Sequence, residues 1–574
     1  MSDVTGAWTA AAAVLREYGV TTVFGLPGDD MEALAAVTDA EIKFVLCRDQ
    51  RNAVFMATGY ALQSGRLGVA VIGKGPAVTN AATGLLEASS SAAPVLVLSA
   101  GTATERRGSG AFQELDQVAA VQGLVKWAAR VEHPDRFQAA LRRAALVAQT
   151  GAPGPVYLEL PDHLLTVPIP LDEDRATRFE TTQSVNVSDV SSALKVVRAA
   201  RRPILLVGGG MRHANQSGLL EQFAAELGAA VACTASGRGA VDEASPLFCG
   251  LSGLYTPEPA ARLWAETDCV VALGSRLEET ATYQWPDRIG REVPVVQVNV
   301  DAGHFSFDFG GPKVLGEVQS VLRAWRLQME RRESRNTEWV EAVREVHEGL
   351  RSAAEDTLRE LASVPQIHIA EVLHTLQQVV PGDRVLVQEN GLQDMWSYRF
   401  PLYACTSEAG SVVPSEQTSL GFGAAAAVGV KQAAPERPVV AFVGDGAFNL
   451  FDADLPTAIE QGHGLLYVVL DNGGYGWLQS QLDQRERPVP GHSFIDPAAV
   501  SSRIPQLPGL RHLTLSGKAT LLSDVTQAWK WCAAGDVVVL TVLARMDDAL
   551  FADAAAGGDF PVLERPEAAG GTEQ

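Results

Sequence analysis

Two short stretches carry the residue types that hold a cation against a phosphate. Gly444-Asp445-Gly446 and Asp471-Asn472-Gly473-Gly474-Tyr475-Gly476 each follow an apolar run, and Asn472 lies 27 positions beyond Asp445. Aspartate and asparagine are hard oxygen donors, and glycines let backbone approach a ligand closely. The set suits Mg²⁺, which prefers octahedral oxygen and is usually shared with phosphates. The spacing equals one helix plus one strand. Both stretches then sit at the carboxyl edge of one parallel sheet, where open α/β sheets bind ligands.

The elements that must position them recur along the chain. Apolar strands at Thr22-Val-Phe-Gly, Lys43-Phe-Val-Leu, Leu67–Ile72, Pro94-Val-Leu-Val-Leu-Ser and Pro155-Val-Tyr-Leu-Glu-Leu alternate with helical patterns near Thr9–Tyr18 and Ala53–Gln63. That alternation predicts βαβ units and a parallel sheet covered on both faces. The pattern restarts at Pro203-Ile-Leu-Leu-Val and again at Arg384-Val-Leu-Val-Gln. The expected fold class is α/β, with three consecutive doubly wound parallel-sheet domains. The expected boundaries are 1–170, 186–330 and 365–555, with a charge-rich helical connector at 331–364 and a disordered tail at 556–574.

Composition bounds the function. Of 574 residues, 46 are Lys or Arg and 68 are Asp or Glu, a net charge of −22. A surface so acidic argues against duplex nucleic acid or an anionic membrane as partner. The six cysteines include no CxxC pair, which predicts reduced, buried thiols in a cytoplasmic protein. The start lacks a signal-peptide pattern, and no window of 18 or more uninterrupted apolar residues is present.

At the two glycine-flanked stretches the sequence resembles the thiamine-diphosphate-dependent enzymes of the acetolactate synthase and pyruvate decarboxylase superfamily. The resemblance extends to Phe24-Gly-Leu-Pro-Gly-Asp, Ala57-Thr-Gly-Tyr-Ala, Gly75-Pro-Ala-Val-Thr-Asn, Ala111-Phe-Gln-Glu, Leu273-Gly-Ser-Arg and Gly421-Phe-Gly. It implies a pyrimidine-binding, a central and a diphosphate-binding domain, in that order. Asp445, Asn472 and the carbonyl of Gly474 would hold Mg²⁺ against the diphosphate. Gly391, Gly444, Gly446, Ala447 and Tyr475 would line the cofactor, and Leu420 would prop it in a bent shape. Gln113 matches a family glutamine near the thiazolium. Sites of this superfamily lie between subunits, so the resemblance implies a homodimer or homotetramer.

The sequence also departs from this family. The family's activating glutamate, which hydrogen-bonds the cofactor's pyrimidine N1′, falls on Gln50. An amide can hydrogen-bond that nitrogen but cannot exchange a proton with it. Three readings stand: activity with weaker activation, replacement of the carboxylate by Asp49 or Asp29, or loss of thiamine chemistry. Asp29 matches a catalytic aspartate of the decarboxylases, or else caps the turn after Pro27-Gly28. The first 132 residues contain no histidine, so the decarboxylases' paired histidines are absent. Gly208-Gly209-Gly210 could cradle a pyrophosphate, and FAD there is a minor possibility. The resemblance implies a carboligase or lyase that decarboxylates a 2-oxo acid and passes the product to a carbonyl acceptor. The alternatives are a non-catalytic homologue and a flavin-linked 2-oxo acid oxidase.

Overall fold

The computed structural model describes residues 4–545, except Pro27, 29–31, 171–184, 214–217, 286–288, 330–335, 407–408, Trp477, 480–490 and 492–502. Asp29 and the expected tail at 556–574 lie outside the described residues. Three six-stranded sheets follow one another along the chain, and every strand pair within them is parallel.

Numbered by chain position within each sheet, the strands of the first and third sheets share the order 2-1-3-4-6-5. The middle sheet has the order 3-2-1-4-5-6. In the first and third sheets the order reverses between strands 1 and 3, which opens a crevice beyond their carboxyl ends. In the third sheet those ends are Gln388 of the strand Val385–Gln388 and Gly444 of Val439–Gly444. In the first they are Leu26 and Ile72, of the strands Thr22–Leu26 and Gly68–Ile72.

The central strands are uninterrupted apolar runs because helices cover both faces. Leu465–Leu470 and Val537–Val542 are buried at every residue. Five strands of these three sheets were not read from sequence: Trp127–Arg130, Phe248–Leu251, Lys313–Leu315, Gly410–Val412 and Leu510–Leu515. All five lie at sheet edges, and four are short or half-exposed runs that lack an apolar signature. Phe248–Leu251 is fully buried but only four residues long and contains Gly250.

The first and third domains share one hydrophobic core. At its centre the helices Gln50–Ser64 and Phe422–Ala433 cross, with Phe55 edge-on to Phe422 at 5.5 Å. The first helix starts at Gln50 rather than Ala53, because the side chain of Asp49 caps it by accepting from the amide of Asn52. Gly65 ends it in the left-handed conformation, φ 68°.

The glycines at 208–210 have a packing reason. A Cβ on Gly208 would lie 2.4 Å from the Gly274 carbonyl oxygen, and one on Gly210 would lie 3.0 Å from Gly274 Cα. At Gly208 and Gly210 the turn is pressed backbone to backbone against Gly274, which accounts for these two glycines without a pyrophosphate. All six cysteines are free and buried. Among the described residues, no helix is long and apolar enough to cross a membrane.

Candidate active site

Asp445 follows directly on the strand Val439–Gly444, and Asp471 follows Leu465–Leu470. These strands are neighbours in register, Gly444 beside Leu470, so the two loops open side by side. Both carboxylates are buried, Asp445 at 5% and Asp471 at 6% exposure. Asp471 Oδ1 accepts the amide of Gly473 at 3.1 Å and so shapes the turn. Asp445 Oδ1 accepts the amide of Gly446 at 2.9 Å. Burial pushes the Asp445 carboxyl up to about 6, with the Asp471 charge adding to the rise.

The amide of Asn472 lies against this carboxylate. One tip of the amide is 3.2 Å from Asp445 Oδ1 and 2.7 Å from the Gly474 carbonyl oxygen. With nitrogen at that tip, the amide donates to both. With oxygen there, the amide oxygen stands at ligand-shell spacing from both the carboxylate and the carbonyl oxygen. Adjacent oxygens in an octahedral shell of radius 2.0–2.1 Å stand about 2.9 Å apart. The donor set of carboxylate, amide and carbonyl suits a hard divalent cation. A Cβ on Gly444 would meet nothing within 4 Å, so the backbone beside the cluster is open to a ligand. The Tyr475 ring closes the other side, 2.7 Å from where a Cβ on Gly446 would stand.

Leu420 belongs to the same edge. It precedes Gly421, whose Cβ position lies 3.2 Å from Leu450 Cβ and 3.8 Å from the Ala447 carbonyl oxygen. Leu420 is 37% exposed, which rules out the plain role of a core leucine. Gly391 opens the helix Leu392–Ser397 with φ 149°. Two residues earlier stands Glu389, which the sequence reading passed over. Its side chain is fully buried, Oε2 accepts the amide of Gly423 at 2.9 Å, and among the described residues Oε1 has no hydrogen-bond partner within bonding geometry. Glu389 therefore ties the end of Val385–Gln388 to the start of the helix behind Leu420. From the first domain, buried Glu87 accepts the amides of Ser415 at 2.6 Å and Ser419 at 3.3 Å, fixing the loop that leads to Leu420. A glutamate inside an otherwise apolar strand end or helix face was the available sequence signal for both.

Burial, with Glu87 as a lesser cause, pushes the Glu389 carboxyl up to about 8. In the unfolded chain a glutamate titrates near about 4.3. The protonated form is thus favoured by folding: its contribution is intact below about 4.3 and is lost as pH climbs through the folded value. Glu389→Gln keeps a neutral side chain at every pH. Across that window, unfolding midpoints of the wild type should fall progressively relative to this variant. Parallel curves would show that the carboxyl is not held protonated.

The remaining expected residues stand on the first domain. Gln50 is half-buried, and its Oε1 accepts from Asn80 at 2.7 Å. The next two residues dock onto the third domain: Arg51 Nη2 donates to the Leu450 carbonyl at 3.0 Å, and Asn52 to Asp454 at 2.9 Å. Gln113 is exposed with φ 55°, and its carbonyl oxygen lies 2.6 Å from where a Cβ on Gly75 would be. Gly75 is fixed in turn by buried Gln117, which accepts its amide at 2.6 Å. Among the described contacts, Gln50 and Gln113 meet first-domain partners, whereas the nine third-domain residues gather at the Asp445 edge.

Residues 7–120 match the N-terminal TPP binding domain of thiamine pyrophosphate enzymes, 190–325 their central domain and 389–502 their C-terminal TPP binding domain. A probable 2-ketoarginine decarboxylase, AruI, of Pseudomonas aeruginosa is 30% identical over 485 residues, covering 82% of this chain and 83% of the relative. The chain belongs to the thiamine pyrophosphate enzymes. The acetolactate synthase large subunit of Lactococcus lactis is 25% identical over 521 residues, 89% of this chain and 88% of the relative. Acetolactate synthase isozyme 2 of Escherichia coli is 28% identical over 477 residues, covering 82% and 84%. The N-terminal TPP binding match contains four of the six strands of the first sheet, and the C-terminal match contains three of the six strands of the third, the two sheets of identical strand order. Gln50 and Gln113 fall in the first matched stretch, and all nine residues of the Asp445 edge fall in the last.

Proposed function

We propose that this thiamine pyrophosphate enzyme is a Mg²⁺-dependent lyase or carboligase that decarboxylates a 2-oxo acid. The observation that carries the reading is the single tip of the Asn472 amide set 3.2 Å from Asp445 Oδ1 and 2.7 Å from the Gly474 carbonyl oxygen. The names of the relatives support it, since acetolactate synthases and a 2-ketoarginine decarboxylase both act on 2-oxo acids. Bound there, the cofactor supplies a nucleophilic carbon and an electron sink, and the protein supplies position and electrostatics.

Each residue then has a task. Asp445, Asn472 and Gly474 would hold the ion that anchors the diphosphate, and the open backbone at Gly444 would admit it. Ala447 and Gly391 would border the cofactor's path, Tyr475 would close its flank and exposed Leu420 would support its bend. Gln50 would take the place of the activating carboxylate, and as an amide it would exchange no proton with the pyrimidine. Gln113 would stand near the reacting end. Without the histidine pair that protonates a decarboxylation product, transfer to a second carbonyl compound is favoured over simple release.

Gln50 and Gln113 themselves have no described contact with the residues of the Asp445 edge. Phe112, beside Gln113, is 69% exposed, and Tyr475 is 43% exposed. We infer a homodimer or homotetramer in which these exposed surfaces meet at the active site. The domains we assign are 1–170, 186–330 and 365–555.

Protein incubated with thiamine diphosphate, Mg²⁺ and a panel of 2-oxo acids should release CO₂ and, with an aldehyde present, yield a hydroxyketone. Hydrogen–deuterium exchange at C2 of the bound cofactor should exceed that of free cofactor. Bound cofactor with neither faster exchange nor CO₂ release would leave only the non-catalytic homologue.

A further inference from the structure

Neighbouring side chains hold Gln50 in one orientation. Asp49 Oδ1 caps the helix Gln50–Ser64 by accepting the amide of Asn52 at 3.1 Å. Asp49 Oδ2 accepts from Asn80 Nδ2 at 3.4 Å, and the same nitrogen donates to Gln50 Oε1 at 2.7 Å. A carboxylate can only accept, so the tip of Asn80 between these partners is its NH₂. That NH₂ meets the acceptor end of Gln50. The donor end of Gln50 is therefore turned away from Asn80. Networks anchored on a group of fixed polarity are how amide orientations are assigned.

We propose that Gln50 offers an N–H donor, not an acceptor, to the ligand of this site, and thereby selects an aminopyrimidine whose ring nitrogen carries a lone pair. This deepens the reading above and rests on Gln50 facing the cofactor's N1′. A carboxyl group serves that nitrogen in either protonation state, because it can give or take the proton. Gln50, oriented by Asp49 through Asn80, suits only the unprotonated ring. Protonation of N1′ would set two donors face to face, leaving each without a partner in a half-buried site. Rotating the Gln50 amide would present its oxygen instead, but would break the 2.7 Å bond to Asn80. Asn80 is thus a positioning residue: it acts on the cofactor through Gln50.

The full-length protein with Mg²⁺ and thiamine diphosphate labelled with ¹⁵N at N1′ tests this at neutral pH. Calorimetry first establishes that the cofactor binds. The ¹⁵N resonance, which moves far upfield on protonation, should then report an unprotonated N1′. An analogue with C–H in place of N1′ should bind roughly tenfold more weakly, the scale of a lost hydrogen bond and a stranded donor. In Asn80→Asp, residue 80 can only accept, so Gln50 must turn its NH₂ toward it and its oxygen toward the ring. The protonated fraction of N1′ should rise. Asn80→Ala, which merely frees the amide, should lie between the two, and exposed Asn80 makes both variants compatible with folding.

A protonated N1′ in the wild type would overturn the proposal. So would a resonance that neither variant moves, or an analogue that binds as well as the cofactor. Failure of the cofactor to bind at all would overturn the underlying assignment and the polarity with it. Binding with the wrong N1′ state would overturn the polarity alone.

Discussion

Asp445→Ala should abolish Mg²⁺-dependent binding of thiamine diphosphate. The substitution removes the only charged member of the cluster formed with the Asn472 amide and the Gly474 carbonyl. Opposite unit charges about 4 Å apart near a protein surface attract by about 4 kcal/mol, roughly three orders of magnitude in affinity. A divalent ion in direct contact loses at least that. Asp445→Asn, which keeps an oxygen and loses the charge, should fall between. Titration calorimetry with Mg²⁺ and with a chelator checks both. The loss should not come from unfolding: burial beside Asp471 disfavours the Asp445 carboxylate. The metal-free alanine variant should therefore unfold no earlier than the wild type. Full Mg²⁺-dependent binding by Asp445→Ala would remove the metal assignment.

Gly429→Ala should destabilise the protein by about 3 kcal/mol, although alanine favours a helix by roughly 1 kcal/mol over glycine. A Cβ on Gly429 would lie 1.8 Å from the Met56 carbonyl oxygen and 2.9 Å from the Tyr60 nitrogen. Both are backbone atoms of the helix Gln50–Ser64, so no rotamer change relieves the overlap. On the facing helix, a Cβ on Gly59 would stand 2.3 Å from the Ala426 carbonyl oxygen. The helices would have to separate, opening the core that joins the first and third domains. Gly349→Ala is the control: in the helix Thr337–Leu361 its Cβ meets Pro259 at an ordinary 3.4 Å. There propensity should prevail, leaving stability equal or raised. Denaturant melts of the two variants decide the matter, and similar shifts in both would refute the crossing geometry.

The expectations from sequence fared unevenly, for physical reasons. Strands such as Val439–Gly444 were legible because burial on both faces demands a continuous apolar run. The edge strand Leu510–Leu515 alternates polar and apolar residues and carries no such run. The helix at Gln50 was placed three residues late, since its start depends on a side-chain cap at Asp49 rather than on apolar periodicity. The glycines at 208–210 invited a phosphate-binding reading, because sequence does not tell a glycine that admits a ligand from one that admits Gly274. Glu389 and Glu87 passed unremarked: a glutamate in an apolar setting was visible in each case, but its meaning depends on a burial that the sequence does not give.

The residue types of the metal-binding candidate and their order along the chain follow from the sequence alone: a fixed 27-residue interval between two apolar strands requires their tips to share one sheet edge. Whether those tips converge to within an ion's reach was decided by tertiary structure, through the register that sets Gly444 beside Leu470. The same holds for Gln50. Its identity was visible as an amide where relatives are expected to carry an acid. Its hydrogen-bonding sense came from Asn80, 30 residues away along the chain, because the polarity of an amide belongs to its neighbours and not to itself.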